Sequence, residues 1–377
     1  MRGPWLGVRL ILVMALLLPG ACSPAAEPAA PAASGPQGEP ATRERIIWRV
    51  ETAPALPEPV ANNAVAAATI DGRELVFSFL GLGPGRDYRA MTRRAFVLDV
   101  EAGRWTPLPD MPGEVGRLAA TAQALGDRVY VFGGYAVAAD GTETTSPAVD
   151  IYDAHTRRYT SGAPIPVPVD DTVSGLWRNR LIYLVSGWST SDNVAAVQAY
   201  DPSSNRWMHA TPIPGTPVFG HAGGIAGDTI VYCGGAKVQA PQVPKYAPAD
   251  ECWRGDIDPS DPSHIAWRTI AHHPGAPRYR AAAGTVDAGD VVGVMFVGGT
   301  TNPYNYNGVG YDGRPSEPEA SSWMYDVRRD AWRAGPVATA PTMDHRGLVR
   351  SGSTWWTVGG FTGGQAVSAQ VTRFMPG

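Results

Sequence analysis

Six runs of mostly small residues along this 377-residue chain each open on a polar side chain. They read NNAVAAAT (62–69), RLAATAQ (117–123), DDTVSG (170–175), HAGGIAG (221–227), RYRAAAG (278–284) and HRGLVRSG (345–352). The openings supply Asn63, Arg117, Asp170 with Asp171, His221, Arg280, and His345 with Arg346; Asp344 stands just before the last run. These are the side chains of ionic recognition and proton transfer: arginine clamps a carboxylate, and histidine or aspartate carries a proton. Arg117, Asp171, His221, Arg280 and His345 therefore form the candidate catalytic set, with Asn63, Asp344 and Arg346 as candidate ligand contacts. Any one of them alone would serve equally well to solvate the end of a strand. Their recurrence at the head of every run is what points to a shared polar pocket.

The elements that would position these groups recur too. RVYVFGGY, TIVYCGGA, VMFVGGT and TWWTVGGF are alternating strands stopped by a glycine pair. LIYLVSGW is a weaker copy, with Ser186 and Gly187 at the break, and FSFLGLG a degraded one, with Gly81 and Gly83 standing for the pair. Next comes a third strand and then an aromatic: Trp105, Tyr159, Trp207, Trp267 and Trp332. Each unit thus reads as four strands, and six units are counted. Glycine permits φ > 0 and close backbone approach, so each pair ends its strand where units crowd together. The aromatics are expected to fill the space between units, each seeking a partner for its N–H or O–H. The last unit, from Asp344 to Phe374, lacks a fourth strand. RIIWRVETAPALP, with Trp48, is expected to supply it and close a ring.

If every first strand starts at one rim, the polar openings form a collar at the mouth of a central channel. The loops after the glycine pairs would emerge there as well, at 135–148, 236–250 and 300–320. They add Tyr135, Lys237, Tyr304, Tyr306, Tyr311 and Arg314 as candidate ligand contacts, and Trp188 holds the corresponding place in the weaker copy.

The composition agrees with an all-β fold: 44% hydrophobic residues, 44 Gly and 35 Pro. A formal charge of −4 without any basic run argues against nucleic acid as partner. Residues 1–22 read as an export signal: Arg2 and Arg9 precede the apolar Leu10–Leu18, and LPGAC ends on Cys22. LPGAC resembles a bacterial lipobox, apart from Pro19, which implies lipidation of Cys22 and a periplasmic, lipid-anchored protein; cleavage as an ordinary signal peptide is the alternative. Residues 23–44 then form a Pro/Ala-rich tether and 45–377 the folded domain. Cys233 and Cys252 fall on neighbouring strands, where an exported chain allows either a disulfide or two separate buried thiols.

The doubled glycine, the YD of the third strand and the spaced Trp resemble the kelch motif, which implies a six-bladed β-propeller. Blades four and five, with the Tyr/Asn/Gly loop after VGG, resemble exported bacterial sialic-acid mutarotases (N-acetylneuraminate epimerases). That resemblance would put a Glu at the second position of one glycine pair and an Arg six residues on. Gly235 and Pro241 stand there instead. The copper-radical chemistry of galactose oxidase, another kelch propeller, needs a Tyr–Cys crosslink at the channel mouth, which Cys233 and Cys252 are not placed to make. His272 and His273, also expected near the collar, and the carboxylates of DIDPSDPS (256–263) are read as rim polarity and turn capping, so no metal or cofactor is assigned. The expected function is binding of a carbohydrate or other small polar ligand at the long-loop mouth. A sugar mutarotase or epimerase is the alternative, and a protein-interaction scaffold the third reading.

Overall fold

The computed structural model describes residues 46–338 and 340–377. The lipobox cysteine Cys22, the signal segment and the tether lie outside them. The described residues form six four-stranded antiparallel sheets, with short hairpins between the second and third strands. The innermost strands include Ala64–Ile70, Thr121–Leu125, Val173–Trp177, Ala222–Ala226, Ala282–Ala288 and Val349–Ser351. They are rich in Ala, Gly, Val and Ser because strands crowding one axis leave room for little else. The sixth sheet is completed from the other end of the chain, as the Trp48 segment predicts. Trp48–Thr52 pairs antiparallel with Val371–Pro376, from Trp48 against Pro376 to Thr52 against Thr372.

Between sheets, the second and third strands bury apolar residues from both partners. Phe77, Phe79, Val129, Val131 and Tyr152 share one such cluster between the first two blades. The outer-strand aromatics lock neighbouring blades through their polar tips. Trp105, Trp207, Trp267 and Trp332 donate Nε1–H, and Tyr159 its O–H, to backbone carbonyls of Pro54, Ala163, Thr211, Ala271 and Pro109 in that order. Cys233 and Cys252 sit opposite each other in register and form a disulfide, closing the base of the 236–250 hairpin.

The glycine pairs mark contact between blades. A Cβ on Gly133 would lie 2.1 Å from the carbonyl oxygen of Val169 in the next blade. In the first blade the break falls on Leu80 and Gly81, both at positive φ, so Gly83 is not part of it. The sequence reading is corrected there: a non-glycine residue fills the first position at the expense of a left-handed conformation.

Gly126, in an open turn, has φ 60° against 59° at Gly133, yet an added Cβ meets nothing within 4 Å. Gly126→Ala is expected to lose about 1–2 kcal/mol, the ordinary price of a left-handed residue. Gly133→Ala is expected to lose at least about 3 kcal/mol more in urea unfolding, because its clash is with backbone.

Candidate functional site

Just before each innermost strand the chain reaches the axis at one residue: Asn62, Ala119, Asp171, Gly220, Arg280 or Asp344. All six have positive φ. This turn aims each amide at the preceding blade. The amides of Asp171, Gly220, Arg280, Asp344 and Asn62 donate to the carbonyls of Ala119, Asp171, Gly220, Arg280 and Asp344, at 2.7–3.1 Å. The amide of Ala119 closes the circle on Asn62 Oδ1, at 2.8 Å. A second ring runs the opposite way: Gly81, Gly134, Gly187, Gly235, Gly299 and Gly360 each donate to a carbonyl of the following blade.

Inside the first ring the charged openings converge. Arg280 spans two carboxylates: Nη2 and Nε contact Asp171 at 2.6 and 3.2 Å, and Nη1 contacts Asp344 at 3.0 Å. Arg346 donates Nη1–H to the same Asp171. Arg280, Asp171 and Asp344 are 2%, 1% and 0% exposed, so these charges stand in a low-dielectric interior. Burial drives the Asp171 carboxyl up, but Arg280 and Arg346 outweigh it and hold it below the ordinary range. Burial, reinforced by the Asp171 charge, pushes Asp170 well above that range; its Oδ2 accepts from the Thr145 hydroxyl at 2.8 Å. Burial also raises Asp344 against the pull of Arg280 and Arg346.

The collar is not an open mouth at the long-loop face. Tyr135, Phe219, Tyr279, Tyr304, Met343 and Phe361 form a buried apolar layer over it, with Trp188, Tyr306 and Tyr311 packed against them. Arg280 lies against the faces of Tyr279 and Tyr304, 5.0 and 5.2 Å from the ring centres. The 300–320 loop is tied across the axis. Asn307 O and Gln365 O accept from Arg86, Ser316 O accepts from Gln365, and Tyr311 packs 4.4 Å from Tyr246. The expectation of a ligand opening on this face is thereby corrected: aromatic residues read as recognition groups cover the axis instead.

A cavity at the axis lies on the other side of the ring. A channel of about 240 Å³ runs between the innermost strands from His221, His345, Arg346 and Thr172 to Ala124, Leu176, Thr285 and Arg350. It leads toward the face of the short turns that join first and second strands. Its polar lining includes Gln123, Thr172, Ser174, Thr285, His221, His345, Arg346 and Arg350, with no carboxylate among the lining residues. His221 donates Nε2–H to the Val185 carbonyl at 2.9 Å, which leaves Nδ1 as a buried acceptor without a partner among the described residues. The His345 Nε2 lies 2.8 Å from the Thr342 hydroxyl. Burial lowers His221 to about 4 and His345 to about 3, so both rings are neutral at pH 7.

The structure thus gathers Asp171, His221, Arg280, Asp344, His345 and Arg346 at the axis, lays the aromatic candidates over it, and disperses Arg117, Asn63, Lys237 and Arg314. Arg117 turns outward and is buried in an ion pair with Asp150, because it stands two residues before the ring position. Asn63 donates to the Ser78 hydroxyl at 2.8 Å inside the first blade. Lys237 pairs with Asp250 on the blade-four hairpin, and Arg314 lies exposed on the long loop. His273 is stacked on Trp323 between blades rather than at the collar. Among the described residues no cluster of three or more His, Cys, Asp or Glu could hold a metal ion. Gln123, Ser174, Thr285 and Arg350 were not singled out from sequence. Alternation along the last inner strand could have found Arg350, two pleats beyond Arg346.

Six four-stranded blades around one axis define a β-propeller. The repeated glycine break, third strand and interlocking aromatic make it a kelch-type propeller, and comparison with known proteins agrees. The chain is 27% identical over 231 residues to Kelch-like protein terF of Aspergillus terreus, covering 57% of this chain and 48% of that one. It is 30% identical over 143 residues to human Kelch-like protein 35, covering 36% and 22%. It is 26% identical over 256 residues to Kelch domain-containing protein 3 of Bos taurus, covering 61% and 59%. The first of these alignments thus spans about half of the relative's own length, and the others 22% and 59%. No protein-family model matches the chain. The solved structure of YjhT superposes with a TM-score of 0.66 over 84% of this chain and 95% of that one. At 18% identity the likeness is one of fold.

The channel histidines have a pH signature. Their folded pKa values lie below the ordinary ~6.5, so between about pH 6.5 and 4 the unfolded chain binds more protons, and these groups lose stability on acidification. The raised Asp170 and Asp344 act in the opposite sense, so the comparison with a variant is the informative one. His345→Gln is expected to make the slope of unfolding free energy against pH less positive by up to about 1.4 kcal/mol per pH unit across that window, read from urea midpoints.

Proposed function

We propose that this propeller binds a small polar ligand of carbohydrate type in the axial channel. One observation carries the reading: the channel is closed at one end by the hydrogen-bonded ring and lined by hydroxyl, amide, imidazole and guanidinium groups. Small side chains leave the space, and convergent donors and acceptors suit hydroxylated ligands. Ligand-observed NMR with a panel of mono- and disaccharides tests it. Binding to the wild type is expected to disappear in Gln123→Trp, which fills the channel from its wall, with melting temperature changed by only a few degrees. Binding insensitive to that substitution would place the ligand elsewhere.

A mutarotase or epimerase is the second reading, favoured by the bare Nδ1 of neutral His221 beside Arg346. A neutral imidazole can take a hydroxyl proton, and general acid–base help is what anomer exchange requires. Acceleration of sugar anomer exchange that His221→Gln abolishes would make this an isomerase. The matching positions at Gly235 and Pro241 supply neither acid nor base.

We further infer export to the periplasmic side of the envelope with a lipid on Cys22. Support comes from the 1–22 segment and from the Cys233–Cys252 disulfide, a bond suited to an oxidising compartment. The full chain expressed in a bacterium is expected to incorporate labelled palmitate, and Cys22→Ser to lose it. A protein partner on the long-loop face remains a third reading, resting on the length of those loops.

A further inference from the structure

The floor of the channel has a donor and acceptor pattern that selects among polar ligands. Arg346 has a side chain only 3% exposed and is held from one end, Nη1 on Asp171. Its Nε and Nη2 are buried and have no partner among the described residues. Those two N–H groups form the side edge of the guanidinium, two parallel donors spaced for the two oxygens of one carboxylate. Buried donors left without acceptors are strongly disfavoured, and more so on a cation. His221 adds an unpartnered acceptor, Nδ1, to the same floor. The wall brings no carboxylate to repel an anion, and Arg350 adds a second positive charge toward the far end. Asp171, which is not among the lining residues, is engaged by Arg280 and Arg346, so its charge is compensated.

We infer that the ligand is a hydroxycarboxylate whose carboxylate docks on the Nε–Nη2 edge of Arg346 while a neighbouring hydroxyl donates to His221 Nδ1. The inference rests on the channel reading above and narrows it from polar ligands in general to anionic ones. Asp171 is a positioning residue in this arrangement. By occupying Nη1 it fixes the guanidinium plane and turns the opposite edge to the channel floor. Arg280 holds Asp171 in turn by a two-point contact.

Calorimetric titration of the full chain with D-gluconate and with D-glucitol, which has a hydroxymethyl group in place of the carboxylate, tests the assignment. Gluconate is expected to bind at least 10-fold more tightly than glucitol. Arg346→Lys, which keeps the charge and loses the two-donor edge, is expected to weaken gluconate at least 10-fold and glucitol little. Equal wild-type affinities for the two, both abolished by Gln123→Trp, would overturn the hydroxycarboxylate assignment and leave the channel reading standing. A gluconate preference that survives Arg346→Lys would overturn the role given to Arg346. Should Arg346→Lys not fold, the wild-type ratio alone decides, a ratio near one being the refuting result. If neither compound nor any sugar in the panel binds in a manner sensitive to Gln123→Trp, the channel reading fails and this inference with it.

Discussion

The closed circle of backbone hydrogen bonds at the axis is the constraint on which the rest of the molecule depends. Asn62, Ala119, Asp171, Gly220, Arg280 and Asp344 all adopt left-handed backbone, and only that conformation lets each amide reach the preceding blade. Five of these are not glycine, so each carries a local penalty of about 1–2 kcal/mol. The counter-running circle from the second position of each break ties every blade to the one after it. Held in both directions, the residues next to the circle have little freedom to shift, and their side chains inherit that rigidity. Function on a propeller needs this, since the groups come from strands more than a hundred residues apart, as Asp171 and Arg280 are.

The ionic cluster at the ring explains why one end of the channel is shut and the other is not. Arg280 brings a full charge into the interior, which is tolerable only with both Asp171 and Asp344 against it and two aromatic faces above. Meeting those conditions takes up the space that a passage would need. The long loops then have a dry surface to settle on, and they settle with tyrosines. Beyond the ring the inner strands revert to Ala, Gly, Ser and Val, and space opens. Polarity at the axis therefore marks two sides of one plane: a closed layer above and a lined channel below.

Much of this was legible in the sequence. The glycine breaks, the outer aromatics and the Trp48 segment name the fold and its closure, because each is a local demand of blade packing that repeats. Convergence of Asp171, His221, Arg280, Asp344, His345 and Arg346 was legible for the same reason, as each stands at the axial position of its unit or one or two residues after it. What failed was depth along the axis. Arg117 is only two residues from Ala119, but it precedes the left-handed turn at Ala119 and pairs with Asp150 instead. Which side of the ring holds the space was also hidden. That depends on whether Tyr304, Tyr306 and Tyr311 lie flat over the axis or stand into solvent, and composition is the same in both cases.

The shared sixth blade has a consequence for how the chain reaches this state. Trp48–Thr52 must find Val371–Pro376 across more than 300 intervening residues. Pairing at such separation is slow, because the loop entropy is lost before the contact forms. Until it happens the third strand of that blade has an open edge. Five blades can stack as they are synthesised, and the ring is closed by the final event. A chain halted short of residue 371 would carry every residue of the circle and the channel, yet its Trp48–Thr52 strand would have no partner and the ring would stay unclosed.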